Sequence, residues 1–380
     1  MAKPIIIDLF AGAGGLSLGA ARAGFVVAAA VETDAKALET HSINFPTTKH
    51  LDKDVAKLTG KELLVSAGLE NKVLSGLIGG PPCQGFSTIG KRELSDERNN
   101  LFIHFFRLVK ETSPKFFLAE NVPGILDTSY DSLRETALSI VKNEYVILQP
   151  FSVSACDFGA PTTRTRVFYV GYKKSVESEL TENSFLPPCE IEKVTVKLAL
   201  KGLPVQIDPL WQTDESGWRK IGEMPKTAFT RKISSDIPDG IGNMESIYRY
   251  IERGEVSGCL GTRHRSDVAE RYRCLAPGRK DKISKAIKLT PDGFCPTLRA
   301  GTGKDKGSFQ AVRPIHPTEP RVITPREAAR LQGFPDWFKF HGTKWHSFRQ
   351  IGNSVSPIVA EELLSIIIKE IELCHTAMRE

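Results

Sequence analysis

The stretch Ile5-Ile6-Ile7-Asp8-Leu9-Phe10-Ala11-Gly12-Ala13-Gly14-Gly15-Leu16-Ser17-Leu18-Gly19 decides the fold. It opens as an apolar strand over 3–10 and breaks at a run of glycines. It then continues as an apolar-periodic helix over 14–23, closed by Gly24. Glycines between a first strand and a helix N-terminus let a ligand approach the backbone where amides are still unpaired. A dinucleotide fingerprint would want a third glycine where Ser17 stands, so the loop suits a nucleoside better than a pyrophosphate. Taken alone, a tight structural turn would account for the same residues.

The same alternation repeats outward from this stretch. Strands are expected over 26–32, 73–78, 115–120 and 166–172, and helices over 34–44 (with Asp34 placed to cap it), 99–110 and 132–143. Repeated βα units with short loops imply an α/β fold, a mostly parallel sheet with helices on both faces. Ligands in such sheets bind beyond the carboxyl ends of the strands. The pattern decays after Tyr172, and residues 175–317 are rich in Pro, Gly and charge, as in a smaller, irregular domain. Order returns at Thr324-Pro325-Arg326-Glu327, a capping box with proline at the first helical position, in a helix that stops at Gly333. A last apolar helix over 358–373 needs a core, and the first domain is the nearest one. Residues 1–174 and 318–380 are therefore expected to form one domain, with 175–317 inserted between them.

A chain of 380 residues, 41% hydrophobic and 25% charged, has the balance of a soluble two-domain protein. It has no run of eighteen apolar residues, so no membrane span is indicated. The apolar run at the start is short and meets Asp8 at once, unlike a signal peptide, which points to the cytoplasm. The seven cysteines are odd in number and include no Cys-x-x-Cys pair. A disulfide framework or structural zinc site is not expected, and six of the seven read as small buried residues. The histidines show no ligand spacing, so no metal is expected. Net charge is +6, but 259–313 holds thirteen Lys and Arg against five Asp and Glu, a balance of +8 that leaves −2 for the rest. The basic excess thus sits in one segment, as a phosphate-facing surface or a solvated face would have it.

Several residues stand where chemistry is done. Glu32, at the end of the second strand, is placed to accept from ribose hydroxyls, or is simply a solvated strand-end carboxylate. Asp54 could accept from an exocyclic amine. Gly79-Gly80-Pro81-Pro82-Cys83-Gln84-Gly85-Phe86-Ser87 follows a strand end and presents a cysteine in a rigid frame, where backbone amides favour the thiolate. Glu120 ends another strand, at the depth of a candidate proton donor. Arg164 and Arg166 share a strand face at i and i+2 and fit an anionic or carbonyl-bearing ligand, or surface ion pairs.

Together these pieces resemble the cytosine-C5 DNA methyltransferases over about residues 4–172 and 318–360. The segment Asp8 to Gly19 looks like the family's first cofactor loop, Pro81-Pro82-Cys83-Gln84 like its catalytic loop and Glu120-Asn121-Val122 like its acid motif. Arg164-Thr165-Arg166 looks like its arginine pair, and Arg326-Glu327-Ala328-Ala329-Arg330-Leu331-Gln332-Gly333-Phe334-Pro335 like the helix that organises its recognition domain. Gln350-Ile351-Gly352-Asn353-Ser354-Val355 looks like its final cofactor-binding motif. Two positions depart from the family: Thr162 stands where glutamine is usual before the arginine pair, and Thr33 where a bulky residue often packs on adenine.

The resemblance implies a Rossmann-like domain that binds S-adenosylmethionine through Phe10, Ala11, Gly12, Ala13, Gly14, Gly15, Glu32, Asp54, Pro82, Asn353 and Ser354. It implies that 175–317 is a target-recognition domain. Cys83 would add to C6 of cytosine, making C5 reactive, while Glu120 serves N3 and Arg164, with Arg166 beside it, holds the O2 carbonyl. A thiolate must approach the ring face, which is blocked in stacked DNA, so the target base must be flipped out. Gln84, Ser87, Arg263, Arg265, Arg271 and Arg299 are candidate DNA contacts. The expected partner is double-stranded DNA, met by a monomer in the cytoplasm near the nucleoid, with a cognate restriction endonuclease acting separately. A tRNA cytosine-C5 methyltransferase and a catalytically dead DNA-binding regulator are the alternatives. The basic insertion speaks against the first, and intact Cys83, Glu120 and Arg164 speak against the second.

Overall fold

The structure, a computed structural model, describes residues 3–82, 100–234, 237–301 and 312–377. Strand β1 (Ile5–Leu9) leads through the glycine loop into α1 (Gly15–Arg22). There follow β2 (Val26–Val31), α2 (Ala35–Asn44), β3 (Lys49–Leu51), α3 (Gly60–Ala67) and β4 (Gly76–Gly79). Next come α4 (Asn100–Thr112), β5 (Phe116–Asn121), α5 (Asp131–Ser139), β6 (Tyr145–Ile147), β7 (Phe151–Ser154) and β8 (Thr165–Lys173). These strands form one eight-stranded sheet in the order β3-β2-β1-β4-β5-β8-β6, with β7 also pairing β8. Strands β1 to β5 run parallel, and β8 runs antiparallel to β5, β6 and β7. The mixed α/β fold with a mostly parallel sheet is thus the one the sequence implied. Short α3, β3, β6 and β7 escaped the reading because too few residues carry their periodicity.

Alternate side chains of each strand face opposite cores. Ile6, Ile78, Phe116 and Leu118 face one side, and Ile7, Leu77, Phe117 and Ala119 the other. The second side is covered by α3, α4 and α5. Helix α4 buries Phe102, Phe105, Phe106 and Val109 there, because these residues recur at helical spacing. The first side is covered by α1 and by α12 (Pro357–Ala377). The two helices touch so closely that a Cβ on Gly19 would collide with Ala360. The segment Lys344–Glu370 is, among the described residues, long and apolar enough to cross a membrane, but 72% of its apolar window is buried in the protein. It is core in the sense of covering the sheet.

The region after β8 is less irregular than the sequence suggested. It contains α6 (Val196–Leu200), β9 (Arg219–Lys220), α7 (Ala228–Ser234), α8 (Met244–Arg253), β10 (Glu255–Val256) and α9 (Ser266–Cys274). Small cores form around Leu203, Val256 and Cys259, and around Tyr272, Ala286 and Ile315. Phe185, Val196, Phe229, Leu289 and Leu298 instead join the core of the first sheet face, so packing does not divide the chain sharply at 175. Helices α10 (Pro325–Leu331) and α11 (Lys344–Asn353) then lead into α12. The Thr324–Glu327 capping box is present. Cys259 and Cys295 are buried, but Cys189 and Cys274 are exposed, which corrects the expectation that both are buried. Polar neighbours explain it, since Cys274 lies on the charged end of α9 beside Glu270.

Candidate active site

The chain runs β1-β2-β3 to one side of the sheet and then crosses back to β4 and β5 on the other. The direction reverses between β1 and β4, and a crevice opens there beyond the carboxyl ends. A cavity of about 450 Å³ occupies it. Segments following five consecutive parallel strands line it: Phe10, Ala11, Gly12, Ala13 and Gly15 after β1, Glu32 to Asp34 after β2, and Lys53 to Val55 after β3. After β4 and β5 come Gly80, Pro81 and Pro82, and Glu120 to Val122. Arg164 and Arg166 enter from β8, and Gln350, Gly352, Asn353, Ser354 and Val355 close it from the end of α11. This volume matches the range of small-molecule sites.

The cofactor side is built on backbone strain and a shared carboxylate. Phe10, Gly12 and Gly14 have φ of 57°, 57° and 101°, which folds the loop back on itself. Glu32 Oε2 accepts from the Gly12 amide at 3.0 Å, and Oε1 accepts from the amides of Thr33 and Asp34 at 2.8 Å each. Burial pushes the Glu32 carboxyl above the usual range, against the pull of these amides. Asp54 is exposed at the rim, where its Oδ1 accepts from the Ala56 amide at 3.0 Å. Gly14 alone among the expected cofactor residues does not line the cavity. A Cβ there would meet the Phe45 ring at 2.5 Å and His41 Cδ2 at 3.2 Å, so this glycine serves packing of α2 beneath the loop.

The opposite wall holds the acid. Glu120 is 8% exposed, and its Oε1 lies 2.6 Å from Arg166 Nε. Gly80 faces it so closely that a Cβ there would stand 2.9 Å from Glu120 Oε2. Asn121 braces the next turn, donating from Nδ2 to the Pro81 carbonyl at 3.4 Å. Arg164, expected at a substrate carbonyl, instead donates to the carbonyls of Leu298 and Asn353, each at 3.3 Å. The arginine facing the acid is Arg166. Thr162, the first departure from the family, is fully buried and pairs in a bridge with Cys295.

The second departure, Thr33, lines the cavity beside Asp34, and here α11 contributes residues the sequence did not reveal. Arg349 Nη1 lies 2.7 Å from Asp34 Oδ2, and Arg349 and His346 both line the cavity. Gln350 ties α11 to α2 by donating to the Lys36 carbonyl at 2.8 Å and the Thr40 hydroxyl at 3.0 Å. These residues are hundreds of positions from the first strand, so no local pattern joins them. The expected nucleophile Cys83, and Gln84 and Ser87, lie outside the described residues. Arg263, Arg265 and Arg299 are exposed, whereas Arg271 is held between Asp267 and Asp281, at 3.4 and 3.2 Å. Among the described residues no cluster of His, Cys, Asp or Glu could hold a metal.

The sequence model of the C-5 cytosine-specific DNA methylases matches residues 5–369. The chain belongs to that family. The methylase is 41% identical over 377 residues to the type II methyltransferase M.XorII of Xanthomonas oryzae pv. oryzae, covering 97% of this chain and 85% of the relative. It is 34% identical to the type II methyltransferase M.DdeI of Desulfomicrobium norvegicum, with 94% and 87% covered. Among solved structures it is similar to a prophage-encoded DNA modification methyltransferase of E. coli, with 51% identity, a TM-score of 0.88 and coverage of 97% and 99%. The Dnmt2 methyltransferase of S. pombe shares the fold, with a TM-score of 0.64 at 16% identity and coverage of 97% and 100%. The methylase is therefore an enzyme acting on cytosine C5 in DNA.

Proposed function

We propose that the methylase modifies a cytosine flipped out of a specific duplex sequence, in a restriction-modification system, with Cys83 as the covalent nucleophile. One observation carries this reading: the Glu120–Arg166 pair and the strained β1 loop are walls of one cavity, with Pro81-Pro82 between them. A nucleoside cofactor and a reacting base would meet there.

The residues present fit S-adenosylmethionine. Glu32 offers a carboxylate at the ribose position, the β1 loop offers a backbone close enough for the methionine portion, and Asn353 and Ser354 close the far side. Bound there, the cofactor supplies an electrophilic methyl group. The chain's own residues prepare the base. Cys83, one residue beyond Pro82, adds to C6 and makes C5 nucleophilic. Glu120 meets N3, where a proton relieves the charge that builds as sulfur adds. Arg166 holds Glu120 and reaches the same side of the ring, which makes it a better partner for O2 than Arg164. Arg164 ties the end of the inserted segment to α11 through Leu298 and Asn353. Residues 175–317 are the target-recognition region, Arg263, Arg265 and Arg299 its candidate phosphate or base contacts, and a separate endonuclease the natural counterpart.

DNA with 5-fluorocytosine in the recognised sequence tests the nucleophile. Fluorine blocks the final elimination, so a stable protein–DNA adduct should form when S-adenosylmethionine is present. An adduct that persists in Cys83→Ala would sink the assignment. Bisulfite sequencing of DNA from a methylation-free bacterial host expressing the chain would give the target sequence and establish that DNA is the substrate.

A further inference from the structure

Beneath the cofactor loop lies a chain of four polar side chains that the methyl transfer does not use. Asp8, fully buried in β1, accepts at Oδ2 from the Ser17 hydroxyl at 2.6 Å, and its Oδ1 is buried with no hydrogen-bond partner. Ser17 Oγ lies 3.0 Å from Nε2 of His41, which is also fully buried. His41 Nδ1 lies 2.9 Å from Nε2 of His50, which is half-buried in the middle of β3. The chain therefore runs from the base of the cofactor loop, through α1 and α2, to the protein surface.

Two arrangements of protons differ in the direction of every link, one with Asp8 ionised and one with its proton on Oδ2. With Asp8 ionised, His50 Nε2–H donates to His41 Nδ1, His41 Nε2–H donates to Ser17, and the Ser17 hydroxyl donates to the carboxylate. With Asp8 neutral, every donor reverses. The two differ by one proton at each step: it enters at His50 Nδ1, and the proton of each link passes inward until Asp8 holds one. In both end states Ser17 and the two histidines are neutral, and only Asp8 changes its charge. Burial holds both histidines below their ordinary pKa, His41 strongly, which keeps them neutral carriers.

We propose that Asp8 exchanges a proton with solvent through Ser17, His41 and His50, and that its charge makes the site prefer the cationic methyl donor over the neutral thioether product. The reading rests on S-adenosylmethionine occupying the cavity. Donor and product share every group except the sulfonium methyl, so comparing them isolates the sulfonium charge. Asp8 does not itself line the cavity, but Phe10 and Ala11, two and three residues further on, do, and a buried carboxylate so placed favours that charge, whereas a neutral acid does not. The groups facing Asp8 are Glu32 from β2, Ser17 from α1 and, through it, His41 from α2 and His50 from β3; β4 brings no titratable side chain. Burial raises the Asp8 carboxyl to about 7, opposed by Ser17 and supported by Glu32, so its charge changes near neutral pH. The sign follows: affinity for the donor rises with pH until Asp8 is fully ionised, and protons are released on binding.

Titration calorimetry of the whole protein with S-adenosylmethionine and with S-adenosylhomocysteine, from pH 6 to 8.5 and in two buffers of different ionisation enthalpy, tests this. The ratio of the two affinities should rise about three- to tenfold with pH, with proton release only for the donor. Asp8→Asn should make the ratio flat. Ser17→Ala keeps the carboxyl but removes the bond that stabilises its charge, so it should move the midpoint upward. His50→Gln removes the ring whose tautomer is tied to the charge of Asp8 and should displace the midpoint while leaving the fold intact by circular dichroism. A wild-type ratio independent of pH overturns the proposal, as does an unchanged profile in Asp8→Asn. An unmoved midpoint in His50→Gln overturns the link between His50 and Asp8. Failure to bind either ligand at any pH would instead refute the cofactor reading.

Discussion

Glu120 and Gly80 meet across the floor of the site, and nothing in either local sequence says so. The strand-end position of Glu120 was legible because a carboxyl closing an apolar strand is unusual. Its distance from Gly80 was not, because it depends on the pairing of β4 with β5. A Cβ at position 80 would stand 2.9 Å from Glu120 Oε2, tighter than a nonbonded contact tolerates. Gly80→Ala should therefore displace the carboxylate by a few tenths of an ångström. Single-turnover methylation should slow by about 10- to 100-fold, the scale of a misplaced catalytic group. The melting temperature should hold within a few degrees, because the cavity is open and the side chain can give. A rate within twofold of wild type would mean that Glu120 needs no such placement. The roles of Arg164 and Arg166 were illegible for the same reason. Two residues apart on one strand, they share a face, and only the elements opposite them decide which meets the acid and which meets Leu298 and Asn353.

Helix α10 was the most legible element outside the sheet, since its capping box and first-turn proline are local signals. What it does there is a matter of buried charge. Arg326 donates to the carbonyls of Ser257, Pro335 and Phe338, and Arg321 grips Glu327 at 2.7 Å. Arg330 pairs with Asp336 at 2.6 Å, both side chains fully buried, and Arg330 also donates to the carbonyls of Ala199 and Lys201. Seven-residue α10 is thus a polar hub that joins segments of the inserted region to the chain that follows it. Removing one member of a buried pair strands the other charge, at a cost of about 3–5 kcal/mol. Asp336→Ala should lose stability on that scale in denaturant titration, and a loss below about 1 kcal/mol would show that water reaches Arg330. Helix α11 was missed because its residues, Lys344 to Asn353, mix glycine, histidine and charge without a clear apolar stripe.

At the scale of the molecule, the parallel sheet and its crevice were readable, because βα alternation repeats often enough to outweigh local ambiguity. The fold of 175–317 was not, because its short helices and two-residue strands rest on small cores and on contacts with α10 rather than on periodicity. If target choice resides there, exchanging that segment for the one from a relative with another target should move the methylated sequence, mapped by bisulfite sequencing. A chimera that methylates efficiently at the original sites would place specificity elsewhere. The graft must preserve Leu298 and the residues that enter the main core, or the test would report folding instead. The contact between Gly19 and Ala360 joins residues about 340 positions apart. During synthesis, α1 emerges first and waits for its covering helix until nearly the whole chain has been made. A ribosome that stalls anywhere before Gly352 leaves a sheet with one face only partly covered and a pocket lacking the wall made by Asn353 and Ser354. Truncated products should therefore be inert and quickly degraded, so the cell carries only finished copies of a genome-marking enzyme.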